Sequence, residues 1–466
     1  MTICCTHRRF QIVIALCGSV LLLGGCGLLN HGQSAQPKIV LPQQWQGQST
    51  VTGTDIADQE QWWRGFNDPV LDGLIDRALR ENNDLAAATV KVRQAQLTAR
   101  LTGTNLTPSV SLGGDATVSH DLKSGSESPT HSVTGSLSYE LDLWGKLARA
   151  RDASRWEAEA TEADRRNTAL SLIGTTASDY WQVAYLNQRI AMAEDGIAYA
   201  EKTLELVEVK YRAGAVSAID LVQARQTLAS QRADLTQLLY QRTAARNALA
   251  ILFNQAPQNS VPERSRLPDG SLPVIEAGLP ASLLGRRPDL QAAEMRLRKY
   301  LANVDNTRAG YYPTFTLTGS LGGSSASLVN VLANPVAALG AGLTLPFVQW
   351  NTMALNVEIS EAEYDKAVVN FRQTLYTALS EVENALSARL QYETEAKHLE
   401  SALALARRAE QLAEVRYRAG ATGVQAWLDA QETRRTAEKS LAENRLNRLK
   451  NLMTLYQALG GGISKP

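Results

Sequence analysis

Lys210-Tyr211-Arg212-Ala213-Gly214-Ala215 recurs 206 residues later in the chain as Arg416-Tyr417-Arg418-Ala419-Gly420-Ala421. In both places the glycine follows a long stretch without proline, which is typical of a turn that ends a helix. A repeat between such distant parts of the chain indicates two copies of one structural unit. The sequence therefore predicts an internally duplicated fold, whose function comes from what the two copies build together.

A second pair of segments repeats with almost the same offset. Asp84 leads to Pro108 and Asp289 leads to Pro313, and in each pair the two residues are 24 positions apart. Equal internal spacing means that both copies contain the same elements in the same order.

Two proline-free stretches predict helices that are too long for a globular core. They follow Pro129 and Pro346, and the second reaches Pro466. Apolar residues in heptad spacing mark a coiled-coil seam in each. The first seam is Ile190, Ala193, Ile197, Ala200, Leu204, Val207 and Tyr211, and the second is Phe371, Leu375, Ala378, Val382 and Ala385. We predict helical hairpins that turn at Gly214 and Gly420, the first helix being roughly 100 Å long.

Short stretches in both copies alternate with a period of two, which predicts β-strands. In the segment 108–121 the apolar or small residues are Val110, Leu112, Gly114, Ala116 and Val118, and serine, threonine or aspartate occupies most positions between them. The same pattern returns at 132–143, and in the second copy within 313–347. Each strand has about the length that crosses a bilayer when tilted. A half-buried sheet of a soluble protein would also alternate, but recurrence and a hydroxyl-rich opposite face favour a membrane barrel with a wet lumen.

Four strands cannot close a barrel, because closed membrane barrels begin at about eight strands. The predicted fold class is therefore an α+β membrane protein, in which several chains together close a β-barrel that continues into a long helical coiled-coil tunnel.

The N-terminus has the pattern of a lipoprotein signal. His7, Arg8 and Arg9 precede an apolar run, which ends at Leu23-Gly24-Gly25-Cys26. We predict a signal peptide at 1–25, a lipid attached to Cys26 and an N-terminal extension over 26–60; a plain signal peptide with an incidental cysteine is the alternative. Gly27 in place of an aspartate argues, by resemblance to bacterial lipoproteins, against retention in the inner membrane.

Composition excludes several classes of function. All four cysteines lie at or before Cys26, so the mature chain has no disulfide or thiol chemistry. Without Arg8 and Arg9, the chain has 45 basic and 47 acidic residues. It therefore lacks the excess of positive charge that is typical of nucleic-acid-binding proteins. Beyond the signal no apolar run reaches the ~20 residues of a transmembrane helix.

The predicted domain order follows from these elements. The first copy covers 61–253 with its β-hairpin at 108–143, and the second covers 281–459 with its hairpin at 313–347. The segment 254–280 reads as an equatorial linker rich in proline, and 460–466 as a C-terminal tail.

Several motifs carry a resemblance over about residues 60–462. They are Trp62-Trp63, Asp68-Pro69, Arg286-Arg287-Pro288-Asp289-Leu290, Tyr312-Pro313 and Leu455-Tyr456-Gln457-Ala458-Leu459-Gly460-Gly461-Gly462. With them the chain resembles the TolC-type outer-membrane efflux factors, in the lipoprotein branch that serves RND-type pumps. The resemblance implies a homotrimer, with a twelve-stranded barrel and a periplasmic tunnel of twelve helices. It also implies two partners, a periplasmic adaptor and an inner-membrane transporter.

The resemblance points to a gate at the tunnel mouth, just after the repeated turns. It carries acidic ring positions onto Asp429 and Asp220, and latch positions onto Tyr417 and Tyr211. Arg416 and Arg418 are the candidate substitutes for a basic latch residue. Three symmetry-related Asp429 side chains would repel one another and attract cations. Ordinary solvated carboxylates at helix starts are the alternative interpretation. The adaptor is expected to dock on the turns, at Gly214, Ala215, Gly420 and Ala421.

The sequence contains no recognisable motif for catalysis, metal binding or phosphate binding. His120 and His131 belong to one predicted hairpin but read as surface residues rather than a metal site. We therefore predict no enzyme and no cofactor. The predicted function is passive export of toxic small molecules through the outer membrane of a Gram-negative bacterium, in a tripartite pump. A lipoprotein scaffold built on coiled coils, without a channel, is the alternative.

Overall fold

The computed structural model describes residues 41–46, 54–55, 61–273 and 275–461. The predicted signal peptide, Cys26 and residues 462–466 of the tail lie outside the described residues. The helices are α1 (Pro69–Glu81), α2 (Asn83–Thr104), α3 (Lys146–Arg212), α4 (Ala218–Ile251), α5 (Leu283–Arg286), α6 (Pro288–Ala309), α7 (Trp350–Arg418) and α8 (Val424–Ala458). The strands are β1 (Thr54–Asp55), β2 (Ser109–His120), β3 (Glu127–Leu141), β4 (Ile275–Glu276), β5 (Thr314–Ser325) and β6 (Val336–Thr344).

The duplication is visible in the elements themselves. Helices α2 and α6 each have 22 residues, and strands β2 and β5 each have 12. Both pairs begin 205 positions apart. Helices α3 and α7 have 67 and 69 residues, roughly 100 Å each, and turn back as α4 and α8. The predicted duplication, the four long strands and the very long helices are therefore confirmed.

The four long strands form one antiparallel sheet in the order β2-β3-β5-β6. Tyr139 on β3 lies opposite Leu317 on β5, so the central pair joins the two copies. Strands β2 and β6 each have one unpaired edge in the described chain. Apolar side chains such as Leu112, Val118 and Leu339 are exposed on one face, as the period of two predicts.

Helix α3 is the centre of the helical part, because it packs against α2, α4, α6 and α8. Helix α7 packs against α6 and α8. The order around the upper helices is therefore α2-α3-α6-α7, and α2 and α7 lie at the two ends of this arc.

The largest apolar core surrounds the middle of the hairpins. Trp62 stacks on Tyr456 with ring centroids 4.2 Å apart, and Tyr180 and Trp181 are fully buried nearby. The linker 254–280 wraps this level: β4 pairs with β1, and Arg264 binds the buried carboxylate of Asp68 at 2.8 Å. Within the described residues, no helix combines the length and the apolar character that a membrane-spanning helix requires.

Candidate functional site

The two hairpin turns lie side by side at the end of the long helices, and we call this end the tip. Helix α3 turns at Gly214 and α7 turns at Gly420, with φ of 70° and 75°. Ala215 N–H donates to the carbonyl of Lys210 at 2.8 Å, and Ala421 N–H donates to that of Arg416 at 2.9 Å. Only glycine adopts this left-handed conformation without strain, so turn geometry alone accounts for both glycines.

The helices after the two turns begin differently. Ser217 and Asp220 form a capping box at the start of α4, where the Asp220 carboxylate accepts from Ser217 N–H at 2.9 Å. Gly423 takes the corresponding place before α8 and has no side chain to cap it. The backbone N–H of Val424 at the start of α8 is near enough to help lower the pKa of Asp220. Asp220 therefore caps α4 and lies close to the N-terminus of α8.

These hydrogen bonds stabilise the charged form of Asp220. The bond from the Ser217 hydroxyl, followed by those from backbone N–H groups, lowers the pKa of Asp220 below its ordinary value. The carboxylate stays ionised at neutral pH, and its negative charge lies at the N-termini of two helices, where the helix dipoles favour it.

A second contact between the copies is a small apolar core, the tip cluster, formed by Val207, Ala224, Tyr417, Val424, Trp427 and Leu428. Tyr417 is 1% exposed, and its ring stacks on Trp427 at a centroid distance of 5.3 Å. Lys210 lies over the same ring, with Nζ 4.0 Å from the centroid, and donates to the Tyr417 carbonyl at 3.1 Å. The ammonium group of Lys210, which belongs to the first copy, thus donates to a carbonyl at the C-terminal end of α7 and covers the ring of Tyr417.

The other predicted gate residues lie outside this cluster. Tyr211 is 42% exposed, so it does not belong to the buried seam in which the heptad pattern placed it. Asp429 is exposed on α8, where Gln425 donates to it at 2.6 Å. Arg418 is exposed and pairs with Glu414 at 2.7 Å, one turn back on α7. One chain therefore brings Tyr417 and Asp220 to the contact between the turns, but not Tyr211, Asp429 or Arg418.

Comparison with known proteins identifies the family. A family model described as outer membrane efflux protein matches residues 74–255 and 279–461, one segment for each copy. The chain belongs to the outer membrane efflux protein family.

Individual relatives agree over nearly the whole chain. The pyoverdine export outer membrane protein OpmQ of Pseudomonas putida is 33% identical over 435 residues, 91% of this chain and 92% of that protein. Toxin and drug export protein A of Aggregatibacter actinomycetemcomitans is 32% identical over 413 residues, 87% of this chain and 89% of that protein. The solved structure of the outer-membrane channel OprN has a TM-score of 0.83 at 26% identity and covers 92% of this chain and 99% of its own.

These findings confirm the predicted family, the α+β channel fold and outer-membrane efflux in a Gram-negative bacterium as the function. Transport rather than catalysis is the role of an outer membrane efflux protein. His120 faces Glu127 across the hairpin at 3.6 Å, while His131 lies opposite Ala116, so the two histidines are not neighbours. Among the described residues no group of three or more His, Cys, Asp or Glu could hold a metal.

Three residues that build the tip of this efflux protein escaped the sequence interpretation: Lys210, Ser217 and Trp427. At each of them the two copies differ, since the equivalent residues are Arg416, Gly423 and Leu221. A comparison of the two turns in the sequence shows these three differences and could have identified the residues.

Proposed function

We propose that three copies of this chain close into one outer-membrane channel, the exit duct of a tripartite pump. An inner-membrane RND-type transporter would select and energise the substrate, and a periplasmic adaptor would dock at the tip. The observation that carries the proposal is the open geometry of a single chain. Among the described residues, its sheet has two unpaired edges and its arc of helices has two unpaired ends.

The contact between the two copies inside one chain supplies a template for the contact between chains. By the repeat offset, β6 corresponds to β3 and β2 to β5, so β6 should pair with β2 of the next chain as β3 pairs with β5. The offset is 205 from β2 to β5, as for Pro108 and Pro313, and 206 from β3 to β6, which keeps their apolar residues in step. The internal pair Val133 and Gly323 then becomes Leu339 opposite Val118. This register puts both exposed apolar side chains on the same face of the sheet, as a lipid-facing surface requires.

The helices independently support the same contact between neighbouring chains. Ala153 and Ala163 of α3 are buried inside the chain, and their equivalents on α7 are Ile359 and Val369, which are exposed. Ala302 of α6 is also buried, whereas its equivalent on α2 is the exposed Leu97. Large apolar side chains are therefore exposed on α7 and α2 at positions that are buried in the other copy. Packing of α7 against α2 of the next chain would bury them.

The number of chains follows from the width of the barrel. Two chains would give eight strands, whose interior is just filled by side chains. Three chains give twelve strands and leave space for a channel. Because the contact is head-to-tail, it must close into a ring to avoid an open filament.

A disulfide between chains tests this assembly. Leu339→Cys combined with Val118→Cys should give covalent trimers under oxidation, visible on a denaturing gel without reductant. Inside one chain the two edges are separated by three strand spacings, roughly 14 Å, which is too far for a disulfide. The matched control is Leu339→Cys with Thr117→Cys, which faces the opposite side. Monomers only, or equal cross-linking in the control, would contradict the register.

Three further roles belong to the same proposal. Cys26 would carry the lipid, which mass spectrometry of the N-terminal fragment and the Cys26→Ser variant would test. The adaptor would contact Gly214, Ala215, Gly420 and Ala421, which are all exposed at the tip. The gate would combine the Tyr417 and Asp220 contacts with the exposed Asp429, Arg418 and Tyr211. Current through a planar bilayer that holds the purified trimer would separate this channel from a scaffold, which conducts nothing.

A further inference from the structure

A cavity of about 810 Å³ lies between the two helical hairpins, at the level where the linker crosses them. Helix α3 and helix α8 run antiparallel along it. Lys450 Nζ donates to Gln182 Oε1 at 2.7 Å, and Gln431 Nε2 donates to Thr203 Oγ1 at 3.4 Å, which fixes their register. Arg189 on α3 is therefore level with Asn444 and Arg445 on α8.

Three arginines line this level of the cavity without a carboxylate partner: Arg189, Arg445 and Arg448. In the described part of the chain none of them forms a salt bridge. Arg189 donates to the Tyr185 hydroxyl at 3.1 Å, and Arg445 donates to the carbonyls of Pro268 and Gly270. The Nε atom of Arg448 is buried and has no hydrogen-bond acceptor.

The other arginines of the same cavity behave differently. Arg407 pairs with Glu438 at 3.1 Å, and Arg434 pairs with both Glu410 and Glu438. Arg435 pairs with Glu432 at 2.6 Å. The three unpaired guanidinium groups are therefore a local excess of positive charge, not a property of the whole cavity.

The surroundings of Arg445 show this excess. Burial, and then the neighbouring charge of Arg448, lower the pKa of Arg445, and Asp269 opposes them. Asp269 itself is exposed and pairs with Arg266 at 3.2 Å. A bound anion would relieve both the repulsion and the lost hydration of these groups.

A buried amide at the same level supplies an independent sign of a ligand. Asn444 is 3% exposed, and its Nδ2 donates to the Tyr392 carbonyl and to Glu395, but its Oδ1 has no partner. Buried polar atoms are normally hydrogen-bonded, so an empty acceptor beside the arginines requires a donor.

We propose that Arg189, Arg445 and Arg448 form an oxyanion site, and that its ligand is a phosphate group. Guanidinium groups match tetrahedral oxyanions with charge-assisted hydrogen bonds. A singly protonated phosphate also carries a hydroxyl that can donate to Asn444 Oδ1, whereas sulfate and acetate are unprotonated at pH 7. The ligand would join α3, α8 and the linker. The residues of this site are different from those that form the contacts at the tip.

Isothermal titration of the purified full-length protein with inorganic phosphate tests the site, at pH 7 and constant ionic strength. We expect saturable binding, roughly tenfold weaker in Arg448→Gln because one charge-assisted hydrogen bond is lost. Sulfate should bind more weakly than phosphate, and acetate more weakly still. Arg408→Gln is the matched control, since Arg408 is exposed, lies outside the cavity and has no carboxylate partner in the described residues.

Size-exclusion chromatography first establishes that each variant is folded. If Arg448→Gln does not fold, Arg189→Gln provides the same comparison from the opposite helix. The site is refuted if the native protein shows no saturable binding, or if the cavity variants bind phosphate as the control does. Sulfate or acetate binding as tight as that of phosphate overturns the choice of ligand. A phosphate monoester that competes with inorganic phosphate would identify an organic source.

Discussion

The two turns at the tip have the same backbone and different surroundings. Gly214 and Gly420 adopt nearly the same φ, and the N–H group after each glycine closes the same hydrogen bond. Yet Tyr417 is buried under Lys210 and against Trp427, while the equivalent Tyr211 is exposed. The duplication preserved the chain path, and each copy then acquired side chains that contact the other. Four matched pairs of substitutions test this interpretation, in order of decreasing effect.

The largest difference in stability is expected between substitutions of the two tyrosines. Tyr417→Ala removes a buried ring and leaves a cavity in the tip cluster, so we expect the local stability of the tip to fall by about 3 kcal/mol. Tyr211→Ala should change it by about 0.5 kcal/mol or less, as for other exposed residues. Hydrogen exchange of the amides in 205–230 and 410–432 measures both. Equal effects would mean that the two turns are energetically alike and that the tip cluster does not hold them together.

The two glycines should respond alike. A Cβ at either position meets no atom within 4 Å, so Gly214→Ala and Gly420→Ala add only the cost of a left-handed backbone, about 1 kcal/mol each. The same hydrogen-exchange experiment measures this cost. A substantially larger loss at one glycine would show that the turns differ in backbone as well as in side chains.

The third pair concerns charge. Asp429 on α8 corresponds to Gln223 on α4, so only the second copy carries a carboxylate at this position. If three Asp429 side chains face the channel axis, Asp429→Asn should lower the preference for cations over anions, and high salt should weaken the effect. Reversal potentials across a KCl gradient measure this ratio, with Gln223→Asn as the control. An unchanged ratio would place Asp429 away from the pore.

The smallest effect is expected from the helix cap at Asp220. Because the pKa of Asp220 is lower in the folded protein, its carboxylate stabilises the tip at neutral pH, and this contribution is lost as pH falls through the lowered pKa. The group is only partly buried and solvent screens its charge, so we expect about 0.5 kcal/mol or less. Hydrogen exchange across the acidic range should show this loss in the native protein but not in Asp220→Asn. Asp234→Asn, exposed on the same helix, should behave like the native protein.

Much of the architecture could be predicted from the sequence. The proline-free stretches after Pro129 and Pro346 predicted two very long helices, and the structure begins these helices at Lys146 and Trp350. The period of two predicted which strand residues share a face, and Leu112, Val118 and Leu339 are exposed on it. The contacts between copies could not be predicted, because Lys210 and Tyr417 are 207 residues apart and no local pattern joins them.

The sequence by itself determined the duplicated order of elements, the two turns and the faces of the strands. Periodicity, glycine and proline act over a few residues, and both copies carry the same signals. Only the tertiary structure decided that Tyr417 is buried and Tyr211 is not, that Asp220 lies close to the start of a helix of the other copy, and that three arginines line one cavity without a carboxylate partner among the described residues. Burial and electrostatic partnership depend on which distant side chains arrive at the same place, and two nearly identical segments therefore have different environments.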